Sequence, residues 1–283
     1  MKSLIVLALL NSALAAEPVR NAAFLGQIVA AKSSISPGET IDLAIHIKHD
    51  PGFHTYWKAP GIVGVPTAME WAETPDLKPS DILWPQPQRV KMGPYWAYGY
   101  EGECYLVVPV TASTDAKVGT LANLKGQISF MVCPAVVTED AGCHPGFVDL
   151  SIALPVSEKP GTDTRWSKPI KAARATFAID NTIWNPSAER DGEEISLTLK
   201  PKPDPQSPAP ERIHFYSSDG QIHSDEEQLV KRNRAGLITI RMKRSEFAPK
   251  AATSLKGILY TETGLPDGSG AKPVYIDIPY PVK

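Results

Sequence analysis

The chain contains short stretches in which apolar and polar residues alternate. In segment 40–48, every second residue from Ile41 to Ile47 is apolar, and most residues between them are polar. This two-residue period predicts a half-buried β-strand, because successive side chains of a strand point to opposite faces. Similar alternation predicts strands at 105–110, 127–133 and 148–154, with Leu106, Val108, Val110, Ile128, Phe130, Val132, Val148, Leu150, Ile152 and Leu154 facing a core.

Strand-like segments continue in the second half of the chain. They lie at 195–199, 213–216, 237–242, 254–261 and 274–278. The 27 prolines and 20 glycines, with few long amphipathic helical patterns, favour short strands joined by turns. Proline and charge accumulate between the two halves, with a short helical turn expected near Ala172. We therefore predict an all-β chain of two tandem β-sandwiches, at 17–156 and 175–283, joined by a linker at 157–174.

The first 15 residues have the features of a signal peptide. Lys2 provides a positive start, Leu4 to Leu10 is an apolar run, and Ala13-Leu14-Ala15 has the small residues of a cleavage site. A buried N-terminal strand or helix is the alternative. No later stretch has the roughly 18 apolar residues of a membrane helix, so the exported chain is not expected to span a membrane. The net charge of −2, with acids and bases interspersed, does not favour nucleic-acid binding.

Three cysteines, Cys104, Cys133 and Cys143, are the main candidates for chemistry. In an oxidising compartment an odd number allows one pair and one free thiol, or three free thiols. Strand parity places Cys104 on the same face as Leu106, which predicts a buried and inert thiol. Cys133 shares the parity of Ser129, so we expect it to point away from the core and to be accessible to another thiolate.

Aromatic residues are dense in two turn-rich segments, 52–57 (GFHTYW) and 93–103 (GPYWAYGYEGE), and Trp84 opens a third such segment, 84–89 (WPQPQR). Such residues can fill the ends of a sandwich core. Alternatively, Tyr95, Trp96 and Tyr98 lie between Gly93 and Gly99, which is typical of a binding or capping loop.

The ordered motifs GFHTYW, WPQPQR and YGYEGE, followed by a strand that ends in Cys133, resemble the N-terminal domain of the DsbD/ScsB family of thiol–disulfide interchange proteins. The resemblance covers about residues 24–156. The second half resembles, more loosely, the second β domain of ScsB-type proteins.

The resemblance implies an immunoglobulin-like sandwich in the periplasm with a redox-active pair, Cys133 and Cys143, and no cofactor. It also implies a cap loop at 92–98 that carries Tyr95, Trp96 and Tyr98, with Tyr56 and His54 on the wall of the site. The implied partners are a membrane electron-transfer protein, which reduces the pair, and thioredoxin-like periplasmic proteins, which receive the electrons.

Two features depart from the family pattern. Nine residues separate the paired cysteines, where relatives have only a few, and no Cys-x-x-Cys motif is present. Reductant is therefore expected to come from another protein. Cysteines whose Cα atoms are more than about 7 Å apart cannot bridge, so the long spacing challenges the pairing.

Two other functions remain open. A structural disulfide closing a loop of about 11 residues would stabilise the fold by about 2.8 kcal/mol, and the chain would then be a non-enzymatic protein-binding module. Alternatively, the soft ligands Met131, Cys133, Cys143 and His144 could bind Cu(I). Whether the chain is an enzyme depends on whether the cysteine pair is redox-active.

Overall fold

The computed structural model describes residues 14–15, 17–138, 141–182, 184–202, 212–261 and 273–281. Most of the predicted signal peptide, residues 1–13, lies outside the described residues, and Leu14–Ala15 form a short strand, β1. Strands β2 to β12 are Val19–Asn21, Phe24–Ala30, Thr40–His49, Phe53–Tyr56, Ala68–Trp71, Leu77–Pro79, Gln88–Met92, Tyr95–Glu101, Glu103–Ala112, Leu121–Pro134 and His144–Pro155. Helix α1 is Ser167–Arg174, and β13 to β20 are Ile179–Asp180, Trp184–Asp191, Glu194–Pro201, Ile213–Ser217, Leu229–Arg232, Ile238–Lys243, Ser254–Thr261 and Val274–Pro279.

Two sheets form the first sandwich. One has the order β1-β12-β11-β5-β9-β8, with β6 also paired to β11, and the other has the order β2-β3-β4-β10-β7. Their inner faces carry the apolar residues predicted from the alternation, including the fully buried Leu43, Leu106 and Ile128. The rings of Phe24 and Phe130 stack across this core with centroids 3.8 Å apart. Burial of this two-residue pattern explains why the strands form two facing sheets.

The outer face of the second sheet is also covered, which corrects the prediction that strand 40–48 is half-buried. Ala44 and Val107, on this outer face, pack against Ile170 of helix α1. His46 is buried there as well, between the rings of Tyr105 and Trp166. The helix lies in the predicted linker, where its length could not be read from a short, proline-containing stretch.

The chain that leads into α1 lies along the first sandwich. Lys32 forms a bridge with Asp163, and their side chains make an ion pair of 2.6 Å. The Thr164 hydroxyl donates to the carbonyl of Ala30 at 2.6 Å. Gly161 lies against Ser34 so closely that a Cβ atom there would come within 2.5 Å of the Ser34 nitrogen. These contacts fix the segment against the edge of the first sandwich.

The second sandwich consists of a β13-β20-β19-β16 sheet and a β14-β15-β18-β17 sheet among the described residues. Its core includes Leu197, Phe215 and Ile240. Tyr216 and Ile258 face the other way and join the core cluster of the first sandwich. The predicted all-β fold of two tandem sandwiches is confirmed. In the part of the chain that the structure describes, no helix is long and apolar enough to cross a membrane.

Candidate redox site

A disulfide joins Cys133 at the end of β11 to Cys143 just before β12. The last pair in the register of these strands is Val132 with His144, so the two cysteines are the next opposed positions. Opposed residues in an antiparallel ladder have Cα atoms only about 4.5–5.5 Å apart, and the Cα atoms here are 4.1 Å apart. Strands β11 and β12 therefore form a hairpin that brings the cysteines together, and the predicted pairing is present.

The third cysteine, Cys104, is free and buried in the first core, as strand parity predicts. Burial raises the pKa of its thiol to about 12. Because the thiolate is the reactive form, Cys104 is chemically inert at neutral pH.

Cys133 is fully buried, which makes the prediction of an accessible Cys133 wrong. Parity does direct its side chain away from the main core, but a second group of side chains covers this outer face. Cys143 is only partly buried, so it is the more accessible of the two cysteines. We call the group of side chains packed together on this outer face the disulfide cluster; its members are Tyr56, Val63, Val90, Met92, Ala97, Met131, Cys133 and Cys143.

The predicted cap loop at 92–98 is a β-hairpin formed by β8 and β9, which we call the cap hairpin. Gly93 and Pro94 make its turn, and the Gly93 N–H donates to the carbonyl of Ala135, just after Cys133, at 3.3 Å. Val90 pairs with Ala97 in the register, and both belong to the disulfide cluster. The sequence signal for this hairpin was the Gly-Pro turn between alternating residues.

The three predicted aromatic cap residues lie on different faces of the hairpin. Tyr95 has the parity of Ala97 and is opposite Met92, so it lies on the disulfide side at the rim, 44% exposed. Trp96 and Tyr98 have the opposite parity and lie on the outer side. There the guanidinium carbon of Arg89 is 4.6 Å from the centre of the Trp96 ring. Small and aliphatic side chains, rather than Trp96 and Tyr98, cover the disulfide.

A second segment, residues 61–64, completes the cover, and the sequence reasoning missed its role. Val63 packs against the disulfide cluster. Gly64 has φ +92°, and a Cβ atom there would lie 2.3 Å from Cε1 of Tyr56. The segment can therefore lie on the Tyr56 ring only with glycine at this position. We call residues 61–64 the cap segment.

His54 lies beside the disulfide on the same sheet face. It pairs with Cys133 in the register, so His54 on β5, Cys133 on β11 and Cys143 just before β12 occupy neighbouring positions. Its ring is fully buried, 5.0 Å from the Tyr56 ring, and neither ring nitrogen has a hydrogen-bond partner among the described residues. Burial, with a smaller effect of the charge on His49, lowers the pKa of His54 to about 4, so the ring is neutral at neutral pH.

His49 is a second buried histidine of this region. Its Nδ1–H donates to the carbonyl of Gly102 at 2.9 Å, and Nε2 accepts from the Thr55 hydroxyl at 2.9 Å. Burial lowers the pKa of His49 to about 4. Its two bonds fix the strand that carries His54. The His54 ring nitrogens and the Tyr56 hydroxyl are both buried beside the disulfide, without a hydrogen-bond partner among the described residues.

The proposed Cu(I) ligands do not form a preassembled set. The sulfurs of Cys133 and Cys143 are bonded to each other, and Met131 lies in the disulfide cluster. His144 is exposed and opposite Val132, so it has the other strand parity from Cys143. Among the residues that the structure describes, no group of three or more His, Cys, Asp or Glu side chains could hold a metal ion.

Comparison with known proteins identifies the first sandwich. Residues 21–147 match the family model described as the N-terminal part of the thiol:disulfide interchange protein DsbD. The fold matches the crystal structure of the N-terminal periplasmic domain of ScsB from Proteus mirabilis, with a TM-score of 0.64 and 16% identity over 93% of this chain and 97% of that chain. A titin I-band fragment, I67-I69, also matches, at 8% identity, but its TM-score of 0.20 supports no argument. Among curated proteins, none matches the chain.

The family match covers the three aromatic motifs, both cysteines of the disulfide and the cap hairpin, while the ScsB match extends over both sandwiches. Both cysteines of the disulfide thus lie within the matched range. Residues 21–147 thus match the N-terminal domain of DsbD-type thiol–disulfide interchange proteins, and the likeness to the ScsB domain shows a shared fold over both sandwiches.

Proposed function

We propose that Cys133 and Cys143 are a redox-active pair that relays electrons from a membrane electron-transfer protein to thioredoxin-like periplasmic proteins. The observation that carries this proposal is the environment of the disulfide. It lies outside the main core, beneath a hairpin and a short segment, with one cysteine fully buried and the other partly exposed. A cover that can move apart gives a partner access while it slows reaction with other thiols. We propose that residues 1–15 direct the chain to the periplasm, where the ScsB domain is found.

The difference in burial assigns the order of the exchange steps. A thiolate of the reduced donor attacks Sγ of Cys143, the S–S bond breaks, and Sγ of Cys133 leaves as a thiolate. The second donor thiolate then attacks the donor sulfur of this mixed disulfide and releases Cys143. The donor leaves oxidised, and the pair holds two electrons and, after protonation, two protons. The reduced pair transfers them in the same way, with Cys143 attacking the disulfide of the acceptor.

His54 supplies the polar group that the leaving sulfur needs. A thiolate on Cys133 would arise among apolar side chains, where burial disfavours the charged form. The neutral His54 ring is the neighbour of Cys133 in the register and has no other hydrogen-bond partner among the described residues. We assign its N–H as the donor that stabilises the Cys133 sulfur during exchange.

The rim of the site has the apolar surface that a docking partner would cover. Tyr95 at the tip of the cap hairpin, and Val136 and Val137 in the loop after Cys133, are exposed by 44%, 71% and 49%. The tip and this loop touch, because the Gly93 N–H donates to Ala135. A partner that binds this rim would displace the tip of the hairpin directly above the disulfide.

Trapping of the mixed disulfide tests this proposal. The probe is a thioredoxin that retains only its attacking cysteine, activated as a mixed disulfide with an aromatic thiol. Cys133→Ser, which leaves Cys143 free, should form the protein–protein disulfide at least ten times faster than Cys143→Ser, which leaves the buried Cys133. If both variants fold and neither forms the adduct, the exchange function is wrong. Equal rates would overturn the assignment of Cys143 as the attacked sulfur.

A further inference from the structure

The outer edge of the cap hairpin is hydrogen-bonded by the second sandwich. Strand β5 pairs with β9 only as far as Tyr56 and Gly99, and the chain after β5 bonds to the peptide groups of Tyr98. At Trp96, two positions nearer the tip, the N–H donates to Oδ1 of Asp225 at 2.9 Å. The Ser224 hydroxyl donates to the Trp96 carbonyl at 2.8 Å. Side chains of the second sandwich thus take the place of a neighbouring strand.

Ser224 also binds the other half of the cover. Its hydroxyl oxygen accepts from the Ile62 N–H at 3.1 Å. The contact is close, because a Cβ atom on Gly61 would lie 2.1 Å from the Ser224 oxygen. Ser224 is 1% exposed, so water does not compete for these bonds. One buried hydroxyl therefore connects the cap hairpin to the cap segment, and both supply side chains to the disulfide cluster.

The Ser224–Asp225 segment is itself held firmly. It lies between β16 and β17, and the adjacent His223 N–H donates to the Lys243 carbonyl at 2.9 Å. Nearby, the ring of Tyr98, on the outer face of the cap hairpin, packs against Tyr216 with centroids 4.9 Å apart. The Tyr98 hydroxyl also lies 3.3 Å from Nε2 of His214. The second sandwich therefore offers an anchored surface to which the outer face of the hairpin is attached.

We propose that Ser224 and Asp225 are positioning residues through which the second sandwich holds the cap hairpin and the cap segment closed over the disulfide, an arrangement that we call the clamp. The proposal rests on the proposed function of the Cys133–Cys143 pair and gives the second sandwich a role in it. The closed cap keeps thiolates away from the disulfide. Release of the Trp96 and Ile62 peptide groups lets the hairpin and the cap segment separate. A docking partner that displaces these contacts opens the site.

The test measures how fast dithiothreitol reduces the disulfide in the full chain and in variants. Ser224→Ala and Asp225→Ala each remove hydrogen bonds that form only in the closed state, so we expect reduction to be about five- to tenfold faster in each. Ser245→Ala is the matched control: Ser245 is 2% exposed in the same sandwich, and its hydroxyl accepts from the Phe247 N–H, away from the cap. Its reduction rate should equal that of the wild type.

A conservative variant separates positioning from general stability. Asp225→Asn keeps an oxygen that can accept from Trp96, so its rate should return to near that of the wild type. The reduction potential should be the same in all variants, because the clamp changes access and not the disulfide itself. Asp225 is only partly buried, so we expect its variants to fold. They test the proposal even if Ser224→Ala does not fold.

Two outcomes would overturn the clamp: an unchanged rate in folded Asp225→Ala, or equal acceleration by Asp225→Asn and Asp225→Ala. These outcomes are distinct from failure of the proposed function. Faster reduction of the variants by dithiothreitol without thioredoxin exchange would refute the relay and retain the clamp. Normal thioredoxin exchange with unchanged dithiothreitol rates would refute only the clamp.

Discussion

Replacement of Val90 by alanine should open the cover of the disulfide. Val90 is fully buried in the disulfide cluster and pairs with Ala97 across the cap hairpin. The substitution removes two methyl groups from a packed site, which costs about 2 kcal/mol. In the open state the side chain is hydrated in either variant, so the closed state alone loses this energy. The open fraction should therefore rise by about 30-fold, at 1.4 kcal/mol per factor of ten.

The assay is the rate of reduction by dithiothreitol under native conditions. If opening is fast and reversible, this rate is proportional to the open fraction, so Val90→Ala should be reduced about 30 times faster than wild type. Val108→Ala is the matched control, because Val108 is equally buried but lies in the main core. It should lower the unfolding midpoint and leave the reduction rate unchanged. Equal rates for the two variants would refute the assignment of Val90 to the cover.

Three further predictions concern the surroundings of the site. In the unreduced native chain, a thiol-labelling reagent at pH 8 should find no reactive thiol, because burial raises the pKa of Cys104 to about 12; fast labelling of Cys104 would contradict its place in the core. Burial lowers the pKa values of His49 and His54 to about 4 in the folded chain. As the pH falls, the same histidines in the unfolded chain therefore take up protons first, below about pH 6.5. Their contribution to stability should be complete above that pH and lost as the pH falls towards 4. Between pH 7 and pH 5, the free energy of unfolding measured with denaturant should therefore fall less in His54→Phe than in wild type. An equal fall in both would exclude the effect. Finally, Gly146→Ala should destabilise the chain by about 1–3 kcal/mol, because a Cβ atom there would lie 2.5 Å from Cζ of Phe130; an unchanged unfolding free energy would show that the ring moves without cost.

The sequence could predict which face of a strand packs against the facing sheet. The alternation at 105–110 and 127–133 identified the side chains of the main core, since each sheet needs one continuous apolar face. The same reasoning failed at Ala44 and His46, because a helix that follows more than 100 residues later covers the other face. A pattern within one strand carries no information on a distant element that packs against it.

The sequence predicted only part of the site, because it does not show which distant elements cover the disulfide. Parity directed Cys133 away from the core, but the cover over that outer face comes from β5, β8 and β9. Tyr95, Trp96 and Tyr98 stood out as aromatics, whereas Val90 and Ala97 were inconspicuous in the sequence. Which face of the hairpin meets the disulfide is set by the pairing of β9 with β5, two segments about 40 residues apart in the chain.

The reduction potential of the Cys133–Cys143 disulfide tests the central claim most directly. The full chain would be equilibrated in thiol–disulfide buffers of known potential, and the oxidised fraction would be counted by labelling of the released thiols. An exchange-active pair should have a potential above about −300 mV, within reach of thioredoxin-like partners. A potential below that value would identify the disulfide as a structural link and the chain as a protein-binding module without redox function.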